Sequence, residues 1–177
     1  MKSLPNLDGL KVSLRPITIN DTELVVKWRN NPSVKCNFVF QEEFTYEMHE
    51  KWLNTKVKYG EVVQYIIIDK DTGNAVGSVY FRDIDGKNQS AEFGIFIGED
   101  SIRGKGLGSE ATKIFTNFGF DYLKLHRIML RVFSDNLQAQ KAYQNAGFNV
   151  EGIFKDMIRQ NNKYRDMTFM AIINSKE

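Results

Sequence analysis

The sequence has little of what marks several common classes of protein. Its 177 residues include one cysteine, Cys36, which can form neither an internal disulfide nor a thiolate zinc site. Only three prolines are present, and a hydrophobic fraction of 42% is enough for a normal core, which argues against a disordered chain. Basic residues number 24 and acidic residues 22, so the net charge of +2 gives no electrostatic footprint for nucleic acid as the main partner.

Long apolar runs are also missing. The longest, Val62 to Ile68, is interrupted by Gln64 and is far too short to span a bilayer. The first ten residues, MKSLPNLDGL, lack the apolar core region of a signal peptide. Length and composition therefore predict one globular domain over residues 1–177, located in the cytoplasm and without a membrane partner.

The order of the predicted elements indicates a mixed α/β domain. Capping residues and helical spacing predict four helices: one after Asn20 or Asp21, one after Thr45, one that includes Leu107, and one after Asp135 or Asn136. The second of these is expected to bury Met48 and Trp52, with Leu53 and Val57 as further candidates. Alternating or β-branched runs predict strands over residues 12–16, 62–68, 75–82, 91–97, 127–133, 148–158 and 164–173.

Three glycines at alternate positions, Gly104, Gly106 and Gly108, lie between an apolar strand and a helix. Residues without a Cβ let backbone N–H groups approach an anion closely, and the helix adds the positive end of its dipole. Segment 103–109 therefore predicts a phosphate site, with a glycine-rich turn that holds no ligand as the alternative. The spacing fits neither a Walker A loop, whose hydroxyl position is taken by Gly106, nor the G-x-G-x-x-G fingerprint of dinucleotide-binding folds.

A second segment makes the interpretation of the glycine loop more specific. Residues 136–148, NLQAQKAYQNAGF, carry an asparagine, a helix with a tyrosine and a closing Gly-Phe pair. Together with strand 92–97 and the loop RGKGLG, this segment resembles the acetyl-CoA motifs of the GNAT N-acetyltransferases. The opening Leu14-Arg15-Pro16 and the helix end Trp28-Arg29-Asn30 are similar to the RimJ/RimL-type branch of that family. The family often has Gln or Arg three residues before the first glycine of the loop, where this sequence has Ser101. This departure is expected to matter little, because the loop is expected to bind phosphate mainly through its backbone N–H groups.

The resemblance implies the fold and the coenzyme. The expected fold is α+β (mixed α/β), the GNAT fold, with a mostly antiparallel sheet of about seven strands flanked by about four helices. Acetyl-CoA is the implied co-substrate. Its thioester carbonyl would bond an N–H freed at Ile97, where the strand splays after Phe96. Asn136 is expected to bond the pantetheine arm or to cap its helix. The residues implied to contact the coenzyme are Phe96, Ile97, Arg103, Gly104, Lys105, Gly106, Leu107, Gly108, Ser109 and Asn136.

The resemblance also implies which residues do the chemistry. An amine with a pKa of about 10 must lose a proton before it attacks the thioester, and the leaving thiolate must gain one. Tyr143 is the predicted general acid, with packing on the inner face of its helix as the alternative. Glu92 is the predicted base, through water, with a surface position or pairing with Arg82 or Arg131 as the alternative. Cys36 lies far from both motifs, which favours direct transfer in a ternary complex over an acetyl-enzyme.

The acceptor pocket is expected in the first two helices and the loop between them, where the family selects its substrates. Trp28 and Phe38 are expected to wall it, and Arg29 with Asn30 to hold a polar or phosphate group. A core tryptophan with helix-end capping residues is the alternative. His49 and His126 are isolated in the sequence, so no metal site is expected.

Three acceptors fit the resemblance: a protein N-terminus, a polyamine such as spermidine, and the amino group of a nucleotide-linked sugar. The Trp-Arg-Asn helix end resembles enzymes for the sugar, whereas segments 91–93 and 150–152 resemble spermidine acetyltransferases. A polyamine site would collect carboxylates, and the acidic residues that could supply them, or could form a solvated helix face, are Glu42, Glu43, Glu47 and Glu50.

The sequence thus predicts an acetyl-CoA-dependent N-acetyltransferase acting on a small-molecule amine or a peptide. A non-catalytic CoA-binding or regulatory domain on the same fold is the alternative, and the presence of both Tyr143 and Glu92 argues against it. Because family members often pair through sheet edges, a homodimer is the implied assembly.

Overall fold

The computed structural model describes residues 4–175, which form eight strands and five α-helices. Short 3₁₀ turns precede α1 and α4, at Ile19–Asp21 and Asp100–Ile102, and α3 continues into a π turn at Leu53–Val57. In chain order the elements are β1 Leu7–Asp8, β2 Val12–Pro16, α1 Thr22–Asn30, α2 Pro32–Lys35, α3 Tyr46–Trp52, β3 Val63–Asp69, β4 Ala75–Asp85, β5 Ser90–Ile97, α4 Leu107–Asp121, β6 Arg127–Phe133, α5 Leu137–Asn145, β7 Asn149–Gln160 and β8 Lys163–Ile173.

All eight strands belong to one sheet, in the order β1-β2-β3-β4-β5-β6-β8-β7. Every neighbouring pair is antiparallel except β5 and β6, which run parallel because α4 carries the chain across between them. The mixed α/β class and the mostly antiparallel sheet are confirmed, with one strand and one helix more than predicted. The additions are the two-residue β1 and the four-residue α2, which are too short for a periodic pattern to reveal.

The sheet buries apolar side chains on both faces. On β3, Tyr65 and Ile67 contribute to a core that includes Phe115 of α4, whereas Ile66 between them joins a second core with Trp28 of α1. This alternation is what a strand covered on both faces requires. The two cores hold α4 on one side of the sheet and α1 on the other, so the sheet separates them.

Helix α3 differs from its prediction at one position on its buried side. Thr45 caps it as expected, accepting a hydrogen bond from the Met48 N–H, but Met48 is 40% exposed and its neighbour His49 is buried. The prediction for Met48 is therefore wrong, while the other residues predicted for this side pack against the second core: Trp52, Leu53 and Val57. No helix among residues 4–175 is long and apolar enough to cross a membrane.

Candidate active site

A cavity of about 1150 Å³ opens where β5 and β6 separate. Its walls come from β4, β5 and β6, from the glycine loop and α5, and from the region between α1 and α3. It is therefore bounded at one end by the predicted coenzyme motifs and at the other by the predicted acceptor region.

The separation of the two parallel strands exposes backbone groups to this cavity. β5 and β6 pair only at 90–92 with 127–129, and beyond this stretch β6 pairs with β8 alone. The Gly98 N–H bonds a β4 carbonyl, so the alternation along a strand directs the Ile97 N–H towards the gap. The predicted separation after Phe96 is wrong in its position, since the strands part four residues earlier.

The glycine loop meets the cavity at the start of α4. Gly104 and Gly106 have φ values of 81° and 84°, a left-handed conformation that residues with a Cβ adopt only at a cost. The backbone N–H groups of residues 104–109 have no acceptor within the described chain, and no side chain caps α4. These donors lie at the positive end of a fifteen-residue helix, an arrangement that fits the pyrophosphate of a coenzyme.

All residues predicted to contact the coenzyme line this cavity except Lys105. Arg103 is held across the loop, donating to the Ile97 carbonyl at 3.2 Å and to the Ser33 hydroxyl at 3.1 Å. Asn136 caps α5 as predicted, accepting from the Ala139 N–H at 3.1 Å. Its amide also donates to Asn37 at 2.9 Å, so contact with a pantetheine arm stays a prediction.

Tyr143 lies on α5 and lines the cavity, with its ring against Phe93 and Phe148 at centroid distances of 6.2 and 6.0 Å. The packing foreseen as the alternative is therefore present together with access to the cavity. Burial raises the pKa of the Tyr143 hydroxyl, and Tyr80 raises it further. The phenol consequently stays protonated at neutral pH, as a general acid must.

Glu92 lines the same cavity, but two guanidinium groups hold its carboxylate. Arg82 donates to Oε1 at 2.5 Å, and Arg131 donates to Oε2 at 2.8 Å and to Oε1 at 3.1 Å. The ion pairing foreseen as the alternative is thus present. A proton leaving an amine would compete with two cations for these oxygens, so the role of Glu92 as base stays a prediction.

Tyr80 lies at the centre of this charged cluster. Its ring covers Gly94 on the adjoining strand, where an added Cβ would stand only 2.3 Å from Tyr80 Cζ. Burial raises the pKa of the Tyr80 hydroxyl. The charged groups that interact electrostatically with this hydroxyl are Arg29, Arg82, Glu92 and Arg131.

His49 forms part of the cavity wall although the sequence assigned it no role. It is 1% exposed, with Nδ1 hydrogen-bonded to the Thr22 hydroxyl at 3.0 Å and Nε2 without a partner in the described chain. Burial lowers the pKa of His49 to about 4. The imidazole is therefore neutral at pH 7.

The structure divides the four predicted acceptor residues into two pairs. Arg29 and Phe38 line the cavity, with the Arg29 guanidinium 3.6 Å from the centre of the Phe38 ring. Trp28 does not, because it is fully buried in the second core, and the prediction that it walls the pocket is wrong. Asn30 also lies outside the lining and instead donates to and accepts from the backbone of Phe44, at 2.7 and 2.9 Å.

Cys36 and the four acidic residues considered for a polyamine lie away from the cavity lining. Cys36 is exposed and does not line it, which agrees with direct transfer. The acidic residues suggested for a polyamine are exposed and also lie outside the lining: Glu42, Glu43, Glu47 and Glu50.

The residues that sequence reasoning missed are Tyr80 as the centre of the charged cluster and His49 as part of its wall. A signal for Tyr80 was present, because Ser78, Tyr80 and Arg82 alternate along β4 and so share one face. Across the sheet this face meets Gly94 and Glu92. No comparable pattern marks His49, whose burial depends on how α3 packs against α1.

Comparison with protein families gives a match to the acetyltransferase (GNAT) domain over residues 11–149. The spermidine N(1)-acetyltransferase of Escherichia coli K12 is 30% identical over 161 residues, covering 91% of this chain and 85% of that protein. A probable N-acetyltransferase of Bacillus subtilis is 27% identical over 176 residues, covering 95% of this chain and 97% of that one.

A solved structure agrees with these sequence matches. The crystal structure of spermidine N-acetyltransferase from Vibrio cholerae, in complex with CoA and spermine, is 25% identical and has a TM-score of 0.87. The match covers 94% of this chain and 97% of that one. With the glycine loop, the strand gap and the family match in agreement, the chain belongs to the GNAT family and is an acetyl-CoA-dependent N-acetyltransferase.

Proposed function

We propose that this chain acetylates a primary amine on a small molecule that enters the cavity from the α1–α3 side, by direct transfer in a ternary complex. The observation that carries the proposal is the continuity of one cavity from the glycine loop, past Tyr143, to Arg29 and Phe38. Two ligands bound at its opposite ends would meet beside Tyr143. Proximity of this kind supplies a large part of the rate of a bimolecular transfer.

Each step of the transfer has a candidate residue. Acetyl-CoA supplies the thioester, whose carbonyl carbon is attacked by the amine nitrogen while the C–S bond breaks. The Ile97 N–H is the proposed donor to the carbonyl oxygen as it becomes negative, because it faces the strand gap. Tyr143 is the proposed donor of a proton to the leaving thiolate. The amine proton leaves through water, with Glu92 as the proposed final acceptor.

The acceptor candidates differ in their support. The relatives named spermidine acetyltransferases support a polyamine, since the likeness extends over most of this chain. Arg29 in the cavity wall supports an amine attached to an acidic group, as in a nucleotide-linked sugar. A protein N-terminus is the third candidate. Membership of the RimJ/RimL-type branch is also proposed, and its support is the Leu14-Arg15-Pro16 and Trp28-Arg29-Asn30 segments.

We also propose a homodimer formed through the edge strand β7. Its support is that β7 ends the sheet and exposes apolar side chains, namely Val150, Ile153, Phe154 and Met157. Exposed apolar groups on an unpaired edge favour association. The Vibrio cholerae relative has a structure described as dodecameric, so sedimentation velocity should be read for larger assemblies as well as for a dimer.

The function is tested by following CoA thiol release from acetyl-CoA with separate acceptors. The panel holds spermidine, a nucleotide-linked amino sugar and a ribosomal-type N-terminal peptide, with acetyl-CoA alone as the blank. We expect release above the blank for at least one acceptor, and mass spectrometry should show one added acetyl group on that product. Tight binding of CoA with no acceptor-dependent release would instead favour a non-catalytic CoA-binding domain.

A further inference from the structure

Arg29 is a partly buried cation without an anionic partner. Its guanidinium lies between two rings, 3.6 Å from the centre of Phe38 and 4.6 Å from that of Phe44. Nε is buried without an acceptor, and the side chain makes no ion pair or hydrogen bond with any residue between 4 and 175. Other arginines differ, since Arg15 and Arg165 each contact a carboxylate at 2.6 Å.

The surroundings of Arg29 do not supply the missing charge. The charged groups around the Tyr80 hydroxyl are three arginines and one glutamate, and Glu92 is already held by Arg82 and Arg131. No other Asp or Glu lines the cavity. His49 in the same wall is neutral at pH 7. The acceptor end therefore carries an excess of positive charge.

Such an excess is costly for the protein alone and useful when a ligand balances it. A buried guanidinium without a counter-charge loses hydration that nothing replaces. A carboxylate or phosphate restores the interaction, and the planar fork of arginine is suited to binding either of them through two hydrogen bonds. A polycation, in contrast, would be repelled by the same groups.

We propose that Arg29 binds an anionic group of the acceptor, so that the substrate is an amine that also carries a carboxylate or a phosphate. This inference rests on the proposed acetyl transfer and narrows its substrate class. Phe38 and Phe44 hold the guanidinium in place, and Arg82 and Arg131 add to the attraction. A polyamine is accordingly a poor acceptor for this chain despite the names of its relatives.

The experiment compares acceptors in pairs that differ only in the anionic group. An amino sugar phosphate is paired with the unphosphorylated amino sugar, and an amino acid with its amide, while spermidine serves as the polycation. We expect kcat/KM to be at least tenfold higher for the anionic member of one pair, and the pair that shows it identifies phosphate or carboxylate. Arg29→Met should abolish this preference by raising KM for the anionic acceptor, whereas Arg29→Lys should retain part of it.

Controls separate loss of binding from loss of folding. Arg159→Met removes an exposed arginine outside the cavity and should leave the preference intact. Thermal unfolding shows whether Arg29→Met is folded. If it is not, Arg29→Lys is used in its place to test whether the preference for the anionic acceptor depends on residue 29. Equal or higher kcat/KM for spermidine or the neutral members in the parent protein would overturn the charge inference and leave acetyl transfer standing. No turnover of any acceptor would overturn the proposed function itself.

Discussion

The two ends of the cavity are built in different ways. The coenzyme end comes from two short stretches, residues 96–109 and 136–143, and its chief groups are backbone N–H donors. The acceptor end draws side chains from α1, from the segment before α3, from α3 itself and from three strands. The coenzyme end is therefore formed by residues that are close together in the sequence, whereas the acceptor end is formed by residues that only the folded sheet brings together.

This contrast has a chemical origin. A pyrophosphate is the same in every reaction of acetyl-CoA, so a fixed array of peptide donors at a helix end is sufficient to bind it. An acceptor differs from one enzyme to the next, and side chains such as Arg29 and His49 can change without disturbing the loop. We expect substitutions at the two ends to separate in kinetics, with the coenzyme KM affected by one set and the acceptor KM by the other.

The largest effect is expected where the two ends meet. Tyr143→Phe removes the proposed proton donor and keeps the ring that packs against Phe93 and Phe148. We expect kcat to fall by about a hundredfold, within the range typical of general acid catalysis, with little change in either KM. Steady-state kinetics with both substrates varied measure this. Unchanged turnover by a folded Tyr143→Phe variant would remove Tyr143 from the mechanism.

The second effect is on stability and belongs to the acceptor end. Because the folded pKa of His49 is about 4 and the unfolded value is about 6.5, the unfolded chain binds the extra proton between these two pH values. The stability held above pH 6.5 is therefore lost as the pH falls towards 4. We expect a loss of about 2 kcal/mol between pH 7 and pH 5, measured by urea unfolding.

A variant at His49 sharpens this expectation. His49→Gln should flatten the dependence of stability on pH in this window. A steep acid loss that survives in His49→Gln would assign the titration to another group.

The third effect is smaller and belongs to the coenzyme end. Gly106→Ala places a Cβ on a residue with φ of 84°, where the only described atom nearby is Lys11 Nζ at 3.7 Å. The cost is conformational, about 1 kcal/mol, so we expect KM for acetyl-CoA to rise by about tenfold or less while KM for the acceptor holds. Gly86→Ala is the matched control, because Gly86 has open space and no positive φ. If the two substitutions changed KM for acetyl-CoA equally, the conformation of the glycine loop would not contribute to coenzyme binding.

Local patterns in the sequence were sufficient for most of the fold and for the coenzyme end. β6 and the Asn136 cap lie where predicted, because alternation and capping depend on neighbours in the chain. The position of Trp28 in the core could not be predicted from local patterns. Nothing local distinguishes a tryptophan that walls a pocket from one that fills the core, since the difference depends on how β5 approaches α1. The same holds for the charge excess at Arg29, which arises only when α1, β4 and β6 are brought together.

Trp28 was expected to wall the acceptor pocket and instead fixes α1 to the end of β5. Its indole lies over Gly98, where a Cβ would stand 2.1 Å from Trp28 Cγ, and its N–H donates to Glu99 at 2.8 Å. Trp28 and Arg29, although adjacent on α1, therefore differ in role: Trp28 packs α1 against the end of β5, and Arg29 faces the cavity. For redesign of the enzyme, the proposed role of Arg29 makes it the position at which to seek a new acceptor class, whereas Trp28 and Gly98 should be kept as a matched pair.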